Sequence, residues 1–494
     1  MPEIVVTTEQ DNIDTADGLS SLREAIVLAN ASSGSDEITF AADVDLITLE
    51  SALPTITDDL TIQGGPGVTL DANADGDGDA ATQLGPSSAD FAARRALEVV
   101  GAGTDVVIEG LTITGGYTTG PGGPNGGAGI KLASDTTLTL VNSEVSGNTT
   151  AGDRAFGGGI NAGVRTTVTL EGSTVADNHT LGDEARGGGV NGSTVVATDS
   201  IVENNSTAGR DAHGAGLFAN KDVTLTNSTV SSNSAEEGHA GGVRGANVAV
   251  GQTTITSNYA HRQGGGIYAR SSEIKDSSVI NNHSAFGGGG LAGDTARIID
   301  FLFMNNEVSR TSEINWMLGG GAVRVSSVYS LGSKFEQNKV LYLAQVYENY
   351  KSQGGAIQAR EARIKSSIFI DNQNLSNGGG AIHADTAHIS DSRFEKNIGM
   401  GWGGAIDTES VVLENSAVSG NELGYLGAFV GGWGGAPQGG GIRTKTILAE
   451  NIFVGGNTGG FGGGVRAQHG EIRNSSNCLS RTLRSRGFPR LTRS

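Results

Sequence analysis

Short runs in which aliphatic and polar residues alternate recur along most of the chain, for example at residues 137–140, 168–170 and 411–413. Alternation with a period of two predicts strands that bury one face. A second short run, ending in asparagine, follows each of them, as at residues 173–178. A pair or triplet of glycines and then an aliphatic residue complete the repeat unit. Each repeat unit therefore predicts three short strands.

This repeat unit recurs about a dozen times between about residues 126 and 466, at intervals of about 24 to about 36 residues. Three strands in so few residues cannot bury their own apolar face, so neighbouring units must stack on one another. Parallel stacking predicts an all-β chain, folded as a single right-handed parallel β-helix with three short strands per coil.

One asparagine stands at the same place in successive repeats, at the end of the second run. Its amide can hydrogen-bond to the equivalent amide one coil above or below, and asparagine tolerates the left-handed backbone of a tight corner. We therefore predict a structural ladder along one corner of the helix. Its members are Asn148, Asn178, Asn205, Asn233, Asn258, Asn282, Asn306, Asn338, Asn372, Asn397, Asn421 and Asn457.

The repeat fails near the N-terminus, where residues 21–30 predict a helix. Ser21 and Glu24 have the spacing of a capping box. A helix here would cover the strand edges that the first coil exposes. Its apolar face is formed by Leu22, Ala25, Ile26 and Ala29.

The predicted domains are an N-terminal cap at residues 1–60, the β-helix at residues 61–473 and a basic irregular tail at residues 474–494. The tail has five arginines and no acid and lacks the repeat. We interpret it as disordered or as a non-native end.

Composition and charge exclude several classes of protein. With 79 glycines and 5% aromatic residues, several ordinary hydrophobic cores are not expected. The formal net charge of −20 should repel nucleic acid and anionic membranes. Cys478 is the only cysteine, so no intramolecular disulfide can form. No apolar stretch reaches the roughly 20 residues that cross a bilayer. We predict a monomer without a nucleic-acid partner or a transmembrane segment.

Two further patterns resemble known bacterial proteins. Residues 20–26 are similar to a Cys-Ser-Leu-Arg-Glu-Ala motif that opens many bacterial β-helix repeat proteins, although Ser20 replaces the cysteine. The repeats resemble those of the polymorphic outer-membrane proteins, with Phe-x-x-Asn at residues 303–306, 335–338, 369–372 and 394–397 and Gly-Gly-Ala-Ile at residues 354–357, 379–382 and 403–406. The resemblance implies an adhesin-type protein on the bacterial outer surface or outside the cell. No visible secretory signal opens the chain.

Most of the variation in repeat length falls between the ladder asparagine and the glycine group. The longest insertions are residues 307–318, 339–353 and 422–438, and loops on a rigid scaffold often carry binding functions. Aromatic side chains concentrate there, which favours binding of a glycan or a cell-surface protein partner. The alternative is that these rings fold back onto the scaffold. The candidate ligand-binding residues are Trp316, Tyr342, Tyr347, Tyr350, Trp402, Tyr425 and Trp433.

One acidic loop is a candidate calcium site. Its alternating oxygen ligands and a glycine at the sixth position match the first half of a calcium-binding loop. Thr82 stands at the twelfth position, where the usual bidentate glutamate is missing. The alternative is a solvated acidic loop, and no other cofactor is predicted. The candidate ligands are Asp71, Asn73, Asp75, Asp77 and Asp79.

Five histidines fall near the same corner as the insertions and could share a metal if they stacked. They lack a fixed offset from the ladder asparagine, which favours solvated loop residues instead. These histidines are His179, His213, His239, His261 and His283.

A polysaccharide lyase or glycoside hydrolase acting on acidic polysaccharides is the alternative function, because many right-handed β-helices carry such activity. These enzymes need paired carboxylates or a catalytic base beside calcium, and the sequence contains no convincing set. Residues 363–365 resemble a substrate-binding string of polygalacturonases, but they also fit a strand with charged outward side chains. We predict no catalytic residues.

Overall fold

The computed structural model describes residues 3–14, 16–72, 94–310, 319–342, 354–375, 378–424, 439–459 and 463–476. The chain divides into two compact units, unit 1 (Met1–Ala249) and unit 2 (Val250–Ser494). The named strands of each unit pair in parallel with the strands of the coils before and after them. Each unit is a right-handed parallel β-helix, which confirms the predicted fold class.

The predicted N-terminal helix is present as α1 (Leu22–Ala31). Ser21 caps it: the Glu24 backbone N–H donates to Ser21 Oγ over 3.1 Å, and the Ser21 N–H donates to Glu24 Oε2 over 3.0 Å. The helix packs against the first strands of the unit, Glu3–Val6 and Asp36–Phe40. Its buried face contains the four predicted apolar residues and Arg23, which forms an ion pair with buried Asp11.

The strands of unit 1 fall into two sets. The first set lies in one continuous sheet and comprises Glu3–Val6, Asp36–Phe40, Leu46–Thr48, Leu60–Asp71, Leu97–Val99, Asp105–Thr114, Ile130–Leu132, Thr137–Val141, Glu144–Ser146, Ile160–Ala162, Thr167–Glu171, Thr174–Ala176, Val190–Thr198, Ile201–Glu203, Leu217–Thr226, Thr229–Ser231 and Val243–Gly251. The second set comprises Tyr117–Thr118, Thr149–Thr150, His179–Thr180, Ser206–Thr207 and Ser234–Ala235. A short 3₁₀ helix spans Gly123–Asn125.

Unit 2 repeats this arrangement. Its first set comprises Thr254–Thr256, Ile267–Lys275, Ser278–Ile280, Leu291–Ile299, Leu302–Met304, Val323–Arg324, Ser327–Leu331, Lys334–Glu336, Ile357–Lys365, Ile368–Ile370, Ile382–Ser390, Arg393–Glu395, Ile406–Glu414, Ala417–Ser419, Ile442–Glu450, Phe453–Gly455 and Val465–Arg473. Its second set comprises Tyr259–Ala260, His283–Ser284, Glu307–Arg310, Lys339–Tyr342, Gln373–Asn374, Ile398–Met400 and Glu422–Gly424.

In many coils the strands are divided differently from the sequence pattern. The aliphatic residue after the glycines and the next alternating run form one long strand there, as in Ile382–Ser390, whereas other coils keep two separate strands, as in Val323–Arg324 and Ser327–Leu331. A three-residue strand follows, as in Arg393–Glu395, and the ladder asparagine lies beyond its end. The third strand begins directly after that asparagine, as in Ile398–Met400. The first residues of each predicted insertion therefore belong to the scaffold.

The ladder asparagines of unit 2 are linked by side-chain hydrogen bonds. In each step, the backbone N–H and Nδ2 of one asparagine donate to Oδ1 of the next, as from Asn306 to Asn338 over 3.1 and 3.0 Å. Asn338 is fully buried, and its Nδ2 also donates to the Phe303 carbonyl one coil back. The same links join Asn148, Asn178, Asn205 and Asn233 in unit 1.

The left-handed residue of this corner is the one before the ladder asparagine, contrary to the interpretation from sequence. Asp177 has φ of 54°, Asn281 has 57° and Asp371 has 54°, whereas no ladder asparagine has positive φ. The reason is that the ladder side chain must point inward at buried carbonyls. The preceding residue makes the turn and leaves its own side chain outside.

A glycine corner separates the third strand from the next nine-residue strand. Gly403 has φ of 62°, a conformation that side chains with a Cβ resist. A Cβ on Gly404 would lie 1.9 Å from the Gly440 carbonyl oxygen one coil away. Close backbone stacking therefore explains the glycine groups, without any need for a ligand.

Candidate functional site

The first outward position after each glycine group forms a column of side chains, which we call the glycine-corner column. In unit 2 the strand register places its members directly above one another: Tyr268, Ala292, Arg324, Gln358, His383, Asp407, Arg443 and Arg466. Side chains at successive coils are about 4.8 Å apart. This spacing allows contacts between polar groups that are far apart in sequence.

In unit 1, side chains of the same column form hydrogen bonds with one another and with the neighbouring Arg95. Lys131 Nζ and Arg95 Nη1 each donate to the Glu98 carboxylate over 2.7 Å. Burial raises the pKa of Glu98, but the hydrogen bond from Lys131 and the charge of Arg95 outweigh it and lower that pKa overall. Asn191 Nδ2 donates to Asn161 Oδ1 over 2.8 Å. These hydrogen bonds stabilise the glycine corner of unit 1.

Cation–π contacts also stabilise the glycine corner of unit 1. The guanidinium of Arg186 lies 5.1 Å from the ring centroid of Phe218 and 5.4 Å from that of Phe156. Arg244 lies 5.1 Å from the Phe218 centroid. Two guanidinium groups lie close to the Phe218 ring, so this ring offers little stacking surface to a ligand.

In unit 2 the column contains a carboxylate shared by two basic side chains. Asp407 is fully buried, accepts from Arg443 Nη1 at 2.7 Å through Oδ1, and lies 2.8 Å from His383 Nδ1 through Oδ2. A carboxylate oxygen accepts hydrogen bonds, so Nδ1 of His383 is the donor to Asp407 Oδ2. The imidazole then has Nε2 as a hydrogen-bond acceptor, in the manner of carboxylate-oriented histidines elsewhere.

Trp402 completes this cluster. The Arg443 guanidinium lies 4.3 Å from the indole ring centroid. Trp402 is half-buried, as is Arg443, so both remain accessible to a ligand. The cluster of His383, Asp407, Arg443 and Trp402 therefore presents an acceptor, several N–H donors and an aromatic surface at one place.

Sequence analysis singled out Trp402 but missed the other three residues of the cluster. Alignment of the repeats on their glycine groups would have placed His383, Asp407 and Arg443 in one column. Of the other candidate aromatic residues, Trp316, Tyr347, Tyr350, Tyr425 and Trp433 lie outside the described residues. Tyr342 is the last residue of the strand Lys339–Tyr342.

The candidate calcium loop falls largely outside the described residues, which include Asp71 but not Asn73, Asp75, Asp77 or Asp79. Asp71 ends the strand Leu60–Asp71 and is buried, and its carbonyl accepts from the Leu49 N–H over 2.8 Å. Calcium binding by this loop stays a prediction.

The five corner histidines do not converge on one point. In unit 1, the rings of His213 and His239 lie 5.3 Å apart between centroids. In unit 2, His261 packs against Phe286. Across the described part of the chain, no group of three or more His, Cys, Asp or Glu side chains is placed to hold a metal ion.

An open groove of about 330 Å³ lies on a different face of unit 2. Arg363 and Lys365 line it and point outward, whereas Ile364 between them is buried. Arg363 forms an ion pair with Glu361 at 2.8 Å. Tyr329 and His388 also line the groove.

Comparison with known proteins supports the fold and little more. A family model described as a right handed beta helix region matches residues 90–247, about a third of the chain. A region of this kind fits both surface proteins and enzyme-like proteins built on a β-helix. No curated protein and no solved structure matches the chain.

The described residues also bear on membrane association. No helix among them is both long and apolar enough to span a membrane.

Proposed function

We propose that the protein is a bacterial binding protein of the adhesin type, exposed on the outer surface or secreted, that holds a glycan or a cell-surface protein at the glycine corner of unit 2. One observation carries the proposal: the cluster of His383, Asp407, Arg443 and Trp402. A fully buried carboxylate there holds two basic side chains in place beside an indole ring. Such prepared polar and aromatic groups are typical of binding sites.

The position of the cluster supports the same function. The long inserted segments of unit 2 all connect a third strand to a glycine group, so they enter and leave the scaffold at this corner. Trp402 directly precedes one glycine group, and residues 425–438 directly precede the next. The resemblance of the repeats to polymorphic outer-membrane proteins favours an adhesin outside the cell.

The test is an array of glycans, polysaccharides and cell-surface proteins probed with the full chain, with and without calcium. Both retention of the protein and release of products are measured. Retention without product release is the expected result. Released oligosaccharides would instead establish a polysaccharide lyase or hydrolase, and loss of retention on calcium removal would implicate the acidic loop at Asp71.

A pair of variants shows whether the cluster is responsible. Trp402→Ala should weaken retention about tenfold or more without a change in unfolding temperature, because it removes an accessible aromatic contact. Tyr329→Ala is the matched control, since Tyr329 is an exposed aromatic residue on another face of unit 2. Equal binding by both variants and the unchanged protein would place the binding site elsewhere.

A further inference from the structure

Arg324 belongs to the same column as the cluster but lacks a carboxylate partner among the described residues. Burial lowers the pKa of its guanidinium, and Tyr268 opposes that effect only in part. Arg324 is half-buried, and a cation that is partly removed from water is stabilised when an anion pairs with it. The guanidinium of Arg324 is therefore a candidate site for an anionic group of a ligand.

Arg443 also has guanidinium N–H groups that can donate to a ligand. Its Nη1 donates to Asp407, and its other N–H groups have no acceptor within the described ranges. The guanidinium geometry suits carboxylate and other oxyanions, which it binds through two parallel hydrogen bonds. Asp407 fixes the guanidinium beside Trp402, so an anion bound to Arg443 would place the group that carries it against the indole.

His383 adds a different specificity. Its Nδ1 donates to Asp407, and Nε2 has no hydrogen-bond partner among the described residues. The His383 side chain is 18% exposed, so a ligand can reach Nε2. A neutral imidazole nitrogen accepts a hydrogen bond from a hydroxyl group. The cluster therefore matches a ligand that carries both an anionic group and hydroxyl groups on a ring, which is the chemistry of an acidic sugar.

The separation of the two arginines along the column also sets a minimum length for the ligand. Arg324 and Arg443 are separated by four register steps, through Gln358, His383 and Asp407. At about 4.8 Å per step, this distance is about 19 Å. A single sugar ring is much shorter than that, so a chain of sugars along the stacking direction is needed to reach both arginines.

We propose that the glycine-corner column of unit 2 binds an acidic polysaccharide, with anionic groups on Arg324 and Arg443, a hydroxyl group on His383 Nε2 and a sugar ring against Trp402. This inference rests on the proposed binding function and deepens it by naming the ligand class. The formal charge of the chain is −20, so its overall field opposes such a ligand and attraction must be local.

The experiment compares matched acidic and neutral polymers on the full chain. Polygalacturonate is tested against its fully methyl-esterified form, and dextran sulfate against dextran, by surface-immobilised binding at low and high salt. We expect the acidic member of at least one pair to bind about tenfold or more tightly than its neutral counterpart. The two pairs distinguish carboxylate from sulfate recognition.

Single substitutions assign the binding to the column. Arg443→Gln and Arg324→Gln should each weaken binding of the acidic polymer about tenfold, and Arg443→Lys should restore part of it. Arg324→Gln should leave the unfolding temperature unchanged or raise it, because it removes a half-buried charge that has no carboxylate partner among the described residues. Arg363→Gln is the matched control, an exposed arginine on another face of unit 2.

The possible failures are distinct. Equal binding of acidic and neutral polymers would overturn the acidic-sugar inference while binding at the corner still stands. An equal loss with Arg363→Gln would show charge attraction that is not specific to the column, and it would overturn the inference as well. A fall in unfolding temperature with Arg324→Gln would show that the guanidinium serves the fold and would also count against it. Retention of no glycan or protein on the array would overturn the proposed function itself.

Discussion

At the scale of single residues, the ladder asparagines carry more hydrogen bonds than their size suggests. The Asn338 side chain accepts two bonds from Asn306 and donates to the Asn372 amide and the Phe303 carbonyl. All of these groups are buried, so water cannot replace a lost partner. The ladder is thus a chain of dependent contacts within unit 2.

Replacement of one ladder residue should therefore be costly. We expect Asn338→Ala to destabilise the protein by about 3 kcal/mol, because several buried donors and acceptors lose their partner at once. Denaturant unfolding followed by circular dichroism measures this. Asn415→Gly is the control, since Asn415 is exposed and its positive φ suits glycine. Equal effects of the two changes would contradict the role of the ladder.

Serines form a second ladder at the start of the three-residue strands. In unit 1 the backbone N–H of Ser143 donates to Ser173 Oγ over 3.1 Å, and Ser173 donates to Ser200 in the same way. In unit 2 the same bonds join Ser333, Ser367 and Ser392. Sequence analysis did not identify these serines, because serine is also common at positions without such a role.

At the scale of elements, the Phe-x-x-Asn motif has a packing explanation. The phenylalanines of four successive three-residue strands stack inside unit 2, with ring centroids 5.2, 4.6 and 4.7 Å apart and ring planes within 4° of parallel. All four side chains are fully buried: Phe303, Phe335, Phe369 and Phe394. The motif therefore marks a core column beside the asparagine ladder, not a ligand site.

The stack predicts a large effect of a cavity in its middle. Phe335→Ala should destabilise the protein by about 3 to 5 kcal/mol, since the two flanking rings cannot close the gap without breaking strand register. Phe453→Ala should cost about 0.5 kcal/mol, because Phe453 in the same unit is 39% exposed. Thermal and denaturant unfolding of the two variants give the comparison. A similar small loss for both would mean that the stack contributes little.

At the scale of the whole molecule, two half-buried histidines should make stability depend on pH. Burial lowers the pKa of His179 in unit 1, against the influence of Asp177 and Glu236. Burial also lowers the pKa of His283 in unit 2, against the influence of Glu307. In the unfolded chain both side chains titrate near the ordinary value of 6.5. Below that pH the unfolded state therefore binds more protons than the folded state.

By linkage, the stability that these histidines contribute is fully present above about pH 6.5 and is lost as the pH falls below that value through their lowered folded pKa values. This window lies above the range in which most carboxylates titrate. The double variant His179→Gln, His283→Gln should show a flatter dependence of unfolding temperature on pH. His469→Gln, at an exposed site, should leave the dependence unchanged. An unaltered slope in the double variant would exclude these histidines as its source.

The fold class follows from the amino-acid sequence alone, because a repeat unit of alternating residues, asparagine and glycines permits stacked parallel coils and little else. The sequence also determined α1, since the capping box of Ser21 and Glu24 acts within one helical turn. Both depend on local or strictly periodic patterns.

The folded structure was needed to show where one strand of a coil ends and the next begins, and which side chains meet at the glycine corner. Asp407 is 24 residues from His383 and 36 from Arg443, because the segments between coils differ in length. Spacing along the chain therefore does not reveal that they are neighbours. The backbone register between coils does, since it sets every outward residue against its counterpart one coil away.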